Sequence, residues 1–243
     1  MISFVIPAHN EEALIGRTIR SIHGAAAPLG LAYEVVVADD DSDDATGAIA
    51  RRLGARVTRV AHRQIAAARN SGARAASGDV LVFVDADTVV TPGALRATVR
   101  AMDRGAVYGG AEVRWDGDIP FWTRPILRVM LIAYAIVGVA SGAYLYARRD
   151  AFDAVGGFDE ALFAAEEADI CFRLRRRGRH AWVRTPVVTS GRKLRAYSTR
   201  ELLSEIVRLG AGGRRAVTSR DGLDIWYAPR RPDPAGVPEV RTE

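Results

Sequence analysis

The sequence predicts an α/β protein built on a mostly parallel central sheet flanked by helices. Three observations carry this expectation. Short β-branched runs alternate with helical patterns, which implies crossover units. The third of these runs, "VLVFV", is apolar along its whole length, as a strand covered on both faces requires. Each of the first three runs also exits into a polar cluster, and open α/β sheets bind ligands beyond the carboxyl ends of their strands. At 243 residues and 49% hydrophobic content, the chain can build one sizeable core, or one domain with an appendage.

In chain order, "ISFVI" predicts a first strand, followed by a helix from about Glu11. "YEVVVA" predicts a second strand with a helix from about Asp44, and "VLVFV" a third with a helix after Thr91-Pro92. There Thr91 reads as the N-cap and Pro92 as the first helical residue, because proline's missing N–H costs nothing at that position. Further strands are expected at Val107–Val113, Ala143–Ala147 and Ala181–Val188. An apolar helix is expected from about Phe121 to Val139. From Pro229 onward "PRRPDPAGVPEVRTE" is proline-rich and poor in apolar residues, which predicts a disordered tail over 229–243.

Composition narrows the function classes. The single Cys171 forms no internal disulfide, and "MISFVIPAHN" lacks the basic start and long apolar stretch of a signal peptide, so a reducing cytoplasm is expected. Residues 173–243 hold 17 Arg or Lys against 7 Asp or Glu, a net of +10 that leaves −5 for residues 1–172. This charge is dense in "RLRRRGR" and "GRKLR", where it suits a phosphate-rich ligand or an anionic membrane. No aromatic interleaving accompanies the arginines, so nucleic acid is not expected as a partner.

The three polar clusters are "PAHNEE" (Pro7–Glu12), "DDDSDD" (Asp39–Asp44) and "DAD" (Asp85–Asp87). Asp85 and Asp87, two apart in extended chain, can point the same way. They offer the hard oxygen ligands that Mg²⁺ or Mn²⁺ prefers and leave room for substrate phosphates.

The segments "FVIPAHNEEALIGRTIRSI", "YEVVVADDDSDDAT", "AAARNSGARAASGDVLVFVDAD" and "GGFDEALFAAEEADICFRLRRRG" follow one another as the successive motifs of family 2 glycosyltransferases. The resemblance runs from about Phe4 to Val188. It implies a Rossmann-like GT-A fold that binds a nucleotide-diphosphate sugar, a UDP- or GDP-sugar. Transfer would proceed with inversion, usually assisted by a divalent metal, Mn²⁺ or Mg²⁺. It divides the chain into a catalytic domain over 1–190, with a nucleotide-sugar half (1–105) and an acceptor half (106–190). A basic helical extension over 191–228 follows.

By position, the resemblance assigns Pro7, Ala8, His9, Asn10 and Glu11 to the nucleoside pocket and Asp40 to the base. It puts Arg69 near the donor phosphates, Asp85 and Ala86 at the ribose and sugar, and Asp87 on the metal against the diphosphate, with Asp85 beside it. Asp39 or Ser42 has a plainer role open to it, capping the next helix. The catalytic base falls in "AAEEADICFRL", where Glu166, Glu167 and Asp169 fill the acidic places of the family's Glu-Asp-x-Asp and Glu167 takes the base slot. That Glu is one methylene longer than the Asp the family favours. His9 stands where an aromatic or hydrophobic residue is common, and Ser190 where some members place a metal-binding histidine. Arg192 and Lys193 resemble a motif that contacts the leaving diphosphate.

Val129–Tyr146 is an uncharged stretch of 18 residues, near the lower limit for crossing a bilayer. Gly138, Ser141 and Gly142 interrupt it, and crossing would remove a strand from the sheet. The reading preferred is therefore an acceptor-side helix, buried or lying at the inner face of the plasma membrane, with Trp115 and Trp122 as interfacial anchors. Such a helix fits a lipid-linked acceptor.

Two other readings stay open. "VFVDADTVV" also resembles the nucleophile motif of haloacid dehalogenase-like phosphatases, in which Asp85 would be phosphorylated. A pseudoenzyme that binds a nucleotide sugar without turnover is the other.

Overall fold

The computed structural model describes residues 1–211, 213–227, 231, 233 and 234. In the first half of the chain, strands β1 (Ile2–Ala8), β2 (Tyr33–Asp40), β3 (Arg56–Val60) and β4 (Val80–Val84) alternate with helices α1 (Ile15–Ala26), α2 (Thr46–Arg52) and α3 (Ile65–Ala75). The short β5 (Thr88–Val89) leads into α4 (Pro92–Asp103), β6 (Tyr108–Trp115), α5 (Thr123–Val137) and β7 (Tyr144–Arg148). Helices α6 (Arg149–Ala154) and α7 (Glu166–Leu174), β8 (His180–Thr189) and four further helices, α8 (Arg192–Ala196), α9 (Thr199–Ala211), α10 (Gly213–Thr218) and α11 (Asp224–Tyr227), complete the described chain.

The eight strands form one sheet in the order β3-β2-β1-β4-β7-β6-β8-β5. Pairings within β3-β2-β1-β4 and between β6 and β8 are parallel; β7 runs antiparallel to both its neighbours, and β5 to β8. The expected mostly parallel α/β architecture is thus the one observed. The chain leaves β1 toward β2 on one side and returns to β4 on the other, which opens a crevice at the carboxyl ends of β1 and β4.

Strand periodicity sorts the core into two layers. Phe4 and Ile6 of β1, with Val82 and Val84 of β4, face Ile15, Ile19 and Ile22 of α1. Val5, Leu81 and Phe83 face the opposite way, toward Ala66 and Ala73 of α3 and Ile170, Cys171 and Leu174 of α7. Close approach of α3 depends on Gly72, where a Cβ would sit 2.5 Å from Val5 Cγ1. Thr91 caps α4 as expected, its side chain accepting from Ala94 N.

Three elements of the first half lie outside the sequence expectation: β3, an edge strand, α3, and the two-residue β5. Helices α1 and α2 begin a few residues after the expected Glu11 and Asp44, because those acidic loops lock together first. Glu11 N donates to Thr46 Oγ1 at 2.8 Å, and Asp44 accepts from the backbone of both Glu12 and Thr46. No helix among the described residues is long and apolar enough to cross a membrane. The tail expected over 229–243 lies outside the described residues except for Arg231, Asp233 and Pro234. Of these, Asp233 pairs with Arg195 and Arg231 with Glu201.

Candidate active site

A cleft of about 820 Å³ opens at the carboxyl ends of β1, β2 and β4, within the size range of small-ligand sites. Pro7, Ala8, His9, Asn10 and Glu11 form one wall, Asp40 lies beside them, and Asp85, Ala86 and Asp87 form the floor. Arg69, Glu166, Glu167, Arg192 and Lys193 line it as well. Of the residues singled out in the sequence for this site, only Asp169 lies elsewhere. It pairs with Arg173 one helical turn on and borders a separate open hollow beside Arg74 and Asp159. A spacing of two residues on α7 turns Asp169 about 200° from Glu167, so the two cannot share a face.

The floor departs from extended geometry. Thr88 N donates to Asp85 O at 3.0 Å, bending residues 85–88 into a turn. The two carboxylates take different protein partners. Asp85 Oδ1 accepts from Arg69 Nη2 at 3.1 Å, whereas Asp87 Oδ1 accepts from Thr189 Oγ1 at 3.2 Å and its Oδ2 lies 3.5 Å from Arg192 Nη2. Arg192 also pairs with the buried Glu11. Burial works against the Arg192 charge, but Glu11 and then Asp87 outweigh it and raise its pKa.

Arg69 is the second organiser. Its side chain is only 2% exposed, and Nη1 donates to Glu166 Oε1 and Glu167 Oε1, both at 2.9 Å. With Asp85, three carboxylates share one guanidinium, which also lies over the Phe158 ring. The sequence reading sets Arg69 beside donor phosphates; the structure gives it these acids as partners because α3 brings it beneath the start of α7. Glu167 is the outermost of the α7 pair, and its second oxygen has no protein partner among the described residues. Gly142 lets the 139–143 loop pass over the cluster, since a Cβ there would meet Glu167 Oε1 at 2.2 Å and Arg69 Nη2 at 2.6 Å.

Burial, then the adjacent Glu167 charge, pushes the Glu166 carboxyl up from 4.5 to about 8 despite the pull of Arg69. Below 4.5 the folded and unfolded chains both hold this proton. Between 4.5 and about 8 only the folded chain does, so stability falls as pH rises through that window. Glu166→Gln removes the slope. Its stability relative to the parent is expected to improve by on the order of 1–4 kcal/mol between about pH 5 and pH 8.5. Urea unfolding at both pH values checks this, and a difference independent of pH would contradict it.

Helix α3 secures the loop that carries these acids. Gln64, its N-cap, donates to Glu160 O and Leu162 O, and Asn70 exchanges hydrogen bonds with the Phe158 backbone in both directions. Ala165, the residue before Glu166, is held at φ 61°, a left-handed conformation that a non-glycine residue adopts only under such constraint.

Asp40 has a role the sequence did not indicate. Its carboxylate accepts from the backbone N–H groups of His62, Arg63 and Gln64 at 2.6–3.0 Å, fixing the entry to α3. One of its lone-pair sites then remains for a ligand. His9 Nδ1 bonds Asp40 O and Asn10 Oδ1 accepts from Asp43 N, so these two join the ends of β1 and β2. Asp39 accepts from Ser42 N in the turn after β2, and neither residue caps α2, whose N-cap Ala45 has no side-chain cap bond. Ser190 accepts from Arg192 N at the start of α8.

Several lining residues have no counterpart in the sequence expectation, among them Gln64 and Ile65 at the start of α3 and Phe163 before α7. Tyr134 enters from the inner face of α5, and Val217, Arg220 and Tyr227 come from the C-terminal helices. Phe163 N donates to Val217 O at 2.7 Å, and Tyr227 donates from its hydroxyl to Phe163 O at 3.0 Å. The only trace of these in the sequence was the basic charge of that segment.

Asp87 and Asp85 suit a hard divalent cation in their chemistry, two carboxylates on one turn at the mouth of the sheet. Among the described residues no third His, Cys, Asp or Glu joins them in a metal-binding cluster. The donor set therefore fits an ion that retains water and takes substrate oxygens, as Mg²⁺ and Mn²⁺ do, and does not fit an all-protein cage.

The chain is 31% identical over 163 residues to a dolichol-phosphate mannosyltransferase of Pyrococcus furiosus, covering 65% of this chain and 45% of that one. It is 28% identical over 193 residues to a beta-monoglucosyldiacylglycerol synthase of Trichormus variabilis, covering 71% and 41%. The chain thus spans less than half the length of these curated relatives. Among solved structures, S. aureus TarS 1-349 in complex with UDP-GlcNAc superposes with a TM-score of 0.64 at 20% identity, over 86% of this chain and 64% of that one. The mannosyltransferase PcManGT from Pyrobaculum calidifontis, in complex with GDP-Man and Mn2+, gives 0.63 at 21%, over 84% and 59%. At such identities the likeness shows the fold, which is the GT-A type the motifs implied. Residues 3–156, more than half of the chain, match the model of glycosyl transferase family 2, and the chain belongs to that family.

Proposed function

We propose that the protein transfers a sugar from a nucleotide-diphosphate sugar to an acceptor hydroxyl with inversion at the anomeric carbon, and that Glu167 is the general base. The observation that carries the reading is the convergence of Glu167, Asp85, Asp87 and Arg192 on one cleft at the sheet's switch point. The GDP-Man and UDP-GlcNAc complexes of the two structural relatives support a nucleotide-sugar donor. No observation favours phosphoryl transfer through Asp85, whose carboxylate is paired with Arg69.

In this reading Asn10, Glu11 and Asp40 bound the nucleoside end of the cleft. Asp87 and Asp85 would hold a divalent cation, Mn²⁺ or Mg²⁺, which when bound supplies positive charge to the diphosphate. Arg192 and Lys193 face the same region and stabilise the charge that develops on the departing diphosphate oxygen. Glu167 takes the acceptor proton as that hydroxyl oxygen bonds to the anomeric carbon and the bond to the diphosphate breaks. Arg69 keeps Glu167 oriented toward the acceptor side.

A thermal-shift panel of UDP, GDP and their sugars with and without Mn²⁺ tests the donor class, because stabilisation grows with ligand concentration over its dissociation constant. Asp87→Asn keeps the size of the side chain and removes its charge. It is expected to weaken metal-dependent binding of the nucleotide diphosphate at least about tenfold, or ~1.4 kcal/mol, with the unfolding temperature of the free protein little changed. Calorimetry that finds equal affinity in parent and variant, with and without chelator, would remove Asp87 from the metal role.

A further inference from the structure

We propose that the outer face of α5, with the arginines that border it, seats this protein on the surface of an anionic lipid bilayer. The proposal does not depend on the sugar-transfer reading, since lipid binding is measured without turnover.

A helix on a protein surface ordinarily presents polar side chains to solvent. Helix α5 does not. Its inner face packs Leu131 and Tyr134 against the two core layers. Its outer face exposes Ile126, Val129, Ile132 and Ile136, with Val129 67% and Ile136 75% accessible. Phe121, at the entry to the helix, is 82% accessible. At 100° per residue these outward side chains span an arc of roughly 120–140°. That arc is wide enough to lie along an apolar boundary and too ordered in position to be scattered surface residues.

The charges carried by α5 and its flanking segments have one sign. From Ile119 to Arg149 the chain contains no Asp or Glu. Arg124 and Arg128 are exposed along one edge of the arc. At the far end, Gly138 lies beside His180, and Ala140 N donates to Cys171 Sγ at 3.3 Å, which joins the end of α5 to α7. There Phe172 is exposed, and the exposed Arg175, Arg176, Arg177 and Arg179 follow it. An apolar strip bordered by cations and lacking acids matches acyl chains beneath anionic headgroups. A second copy of the chain fits less well, because a two-fold interface on this face would bring like-charged arginines together.

The helix has 15 residues, a length of about 22 Å, which is too short to cross the hydrocarbon core and suits a helix lying in the interface. Tyr134 projects from its inner face into the cleft, so a bilayer on the outer face would lie one helix thickness from the cleft.

The test uses the protein as it stands with vesicles of equimolar phosphatidylcholine and phosphatidylglycerol, and with phosphatidylcholine alone. Sedimentation is expected to show binding to the mixed vesicles that weakens with salt. The double variant Val129→Glu/Ile136→Glu, at two exposed positions, is expected to lose at least about tenfold in affinity. Arg124→Gln/Arg128→Gln should lose affinity severalfold for the mixed vesicles only. A polarity-sensitive dye on Val129→Cys should shift to the blue on adding mixed vesicles, while the same dye on Arg52→Cys, on α2, should not. The dye also serves if the glutamate variant proves unstable. Absence of binding to either vesicle, binding unchanged by the glutamates with no dye shift, or a dimer in solution that the glutamates dissociate would each overturn the proposal.

Discussion

Replacing Glu167 with Gln is expected to leave nucleotide-sugar affinity nearly unchanged and to slow sugar transfer by roughly 10²–10⁴-fold, the usual loss of one general base. The substitution preserves the acceptor oxygen that meets Arg69 Nη1 at 2.9 Å, so the local geometry has no cause to rearrange. Asp169→Asn is the matched comparison. That carboxylate pairs with Arg173 away from the cleft, so its loss should register in stability by about 0.3–0.5 kcal/mol and leave the rate alone. Glu167→Asp should also slow transfer, because the shorter side chain draws the carboxylate back from Arg69 Nη1 and from the cleft. Single-turnover rates with a matched donor and acceptor, alongside donor affinity by calorimetry, separate chemistry from binding. An unimpaired Glu167→Gln rate would take Glu167 out of the mechanism.

The second large effect is on stability. Arg69→Met should destabilise the fold by about 3–5 kcal/mol, the range seen when one partner of a buried ion cluster is removed. Asp85, Glu166 and Glu167, at the end of β4 and the start of α7, would lose the donor they share. Adding Glu166→Gln to Arg69→Met should recover part of the loss, since an amide is less costly there than an uncompensated buried acid. Urea unfolding of the two single variants and the double variant forms the cycle. Additive effects would mean that Arg69 and Glu166 are not coupled.

Much of the sheet was legible because its central strands carry their burial in their composition. "ISFVI", "YEVVVA" and "VLVFV" lie within β1, β2 and β4, and Thr91-Pro92 marked the start of α4. Strand β3, "RVTRV", escaped because an edge strand with charged residues exposed lacks that signal. Helix α3 escaped for a different reason. "IAAARNSGARA" is buried along most of its length with small and polar side chains, so no apolar stripe sets it apart from a loop. At the site, residue types and their positions at strand ends were visible, whereas pairings were not. The meeting of Arg69 with Glu166 spans 97 residues and that of Arg192 with Glu11 spans 181, and neither leaves a local mark. Asp40 illustrates the same limit, since a strand-end acid reads alike whether it serves a ligand or three backbone amides.

The anchoring of the base loop on α3 determines which parts of the cleft can open independently. Gln64, Arg69 and Asn70 each grip a different point between Phe158 and Glu167, so releasing that loop means loosening a helix packed against β1 and β2. Such an opening belongs to the sub-global class, with a free energy closer to that of unfolding than to that of a fraying loop. On the C-terminal side, among the described residues, Val217 and Tyr227 meet the loop over 158–167 through backbone carbonyls and one ring contact. Amide hydrogens of α3 and of residues 158–167 should therefore exchange slowly and together, those of 213–227 sooner. Passage of ligands would then be governed by the C-terminal wall, with the base held still.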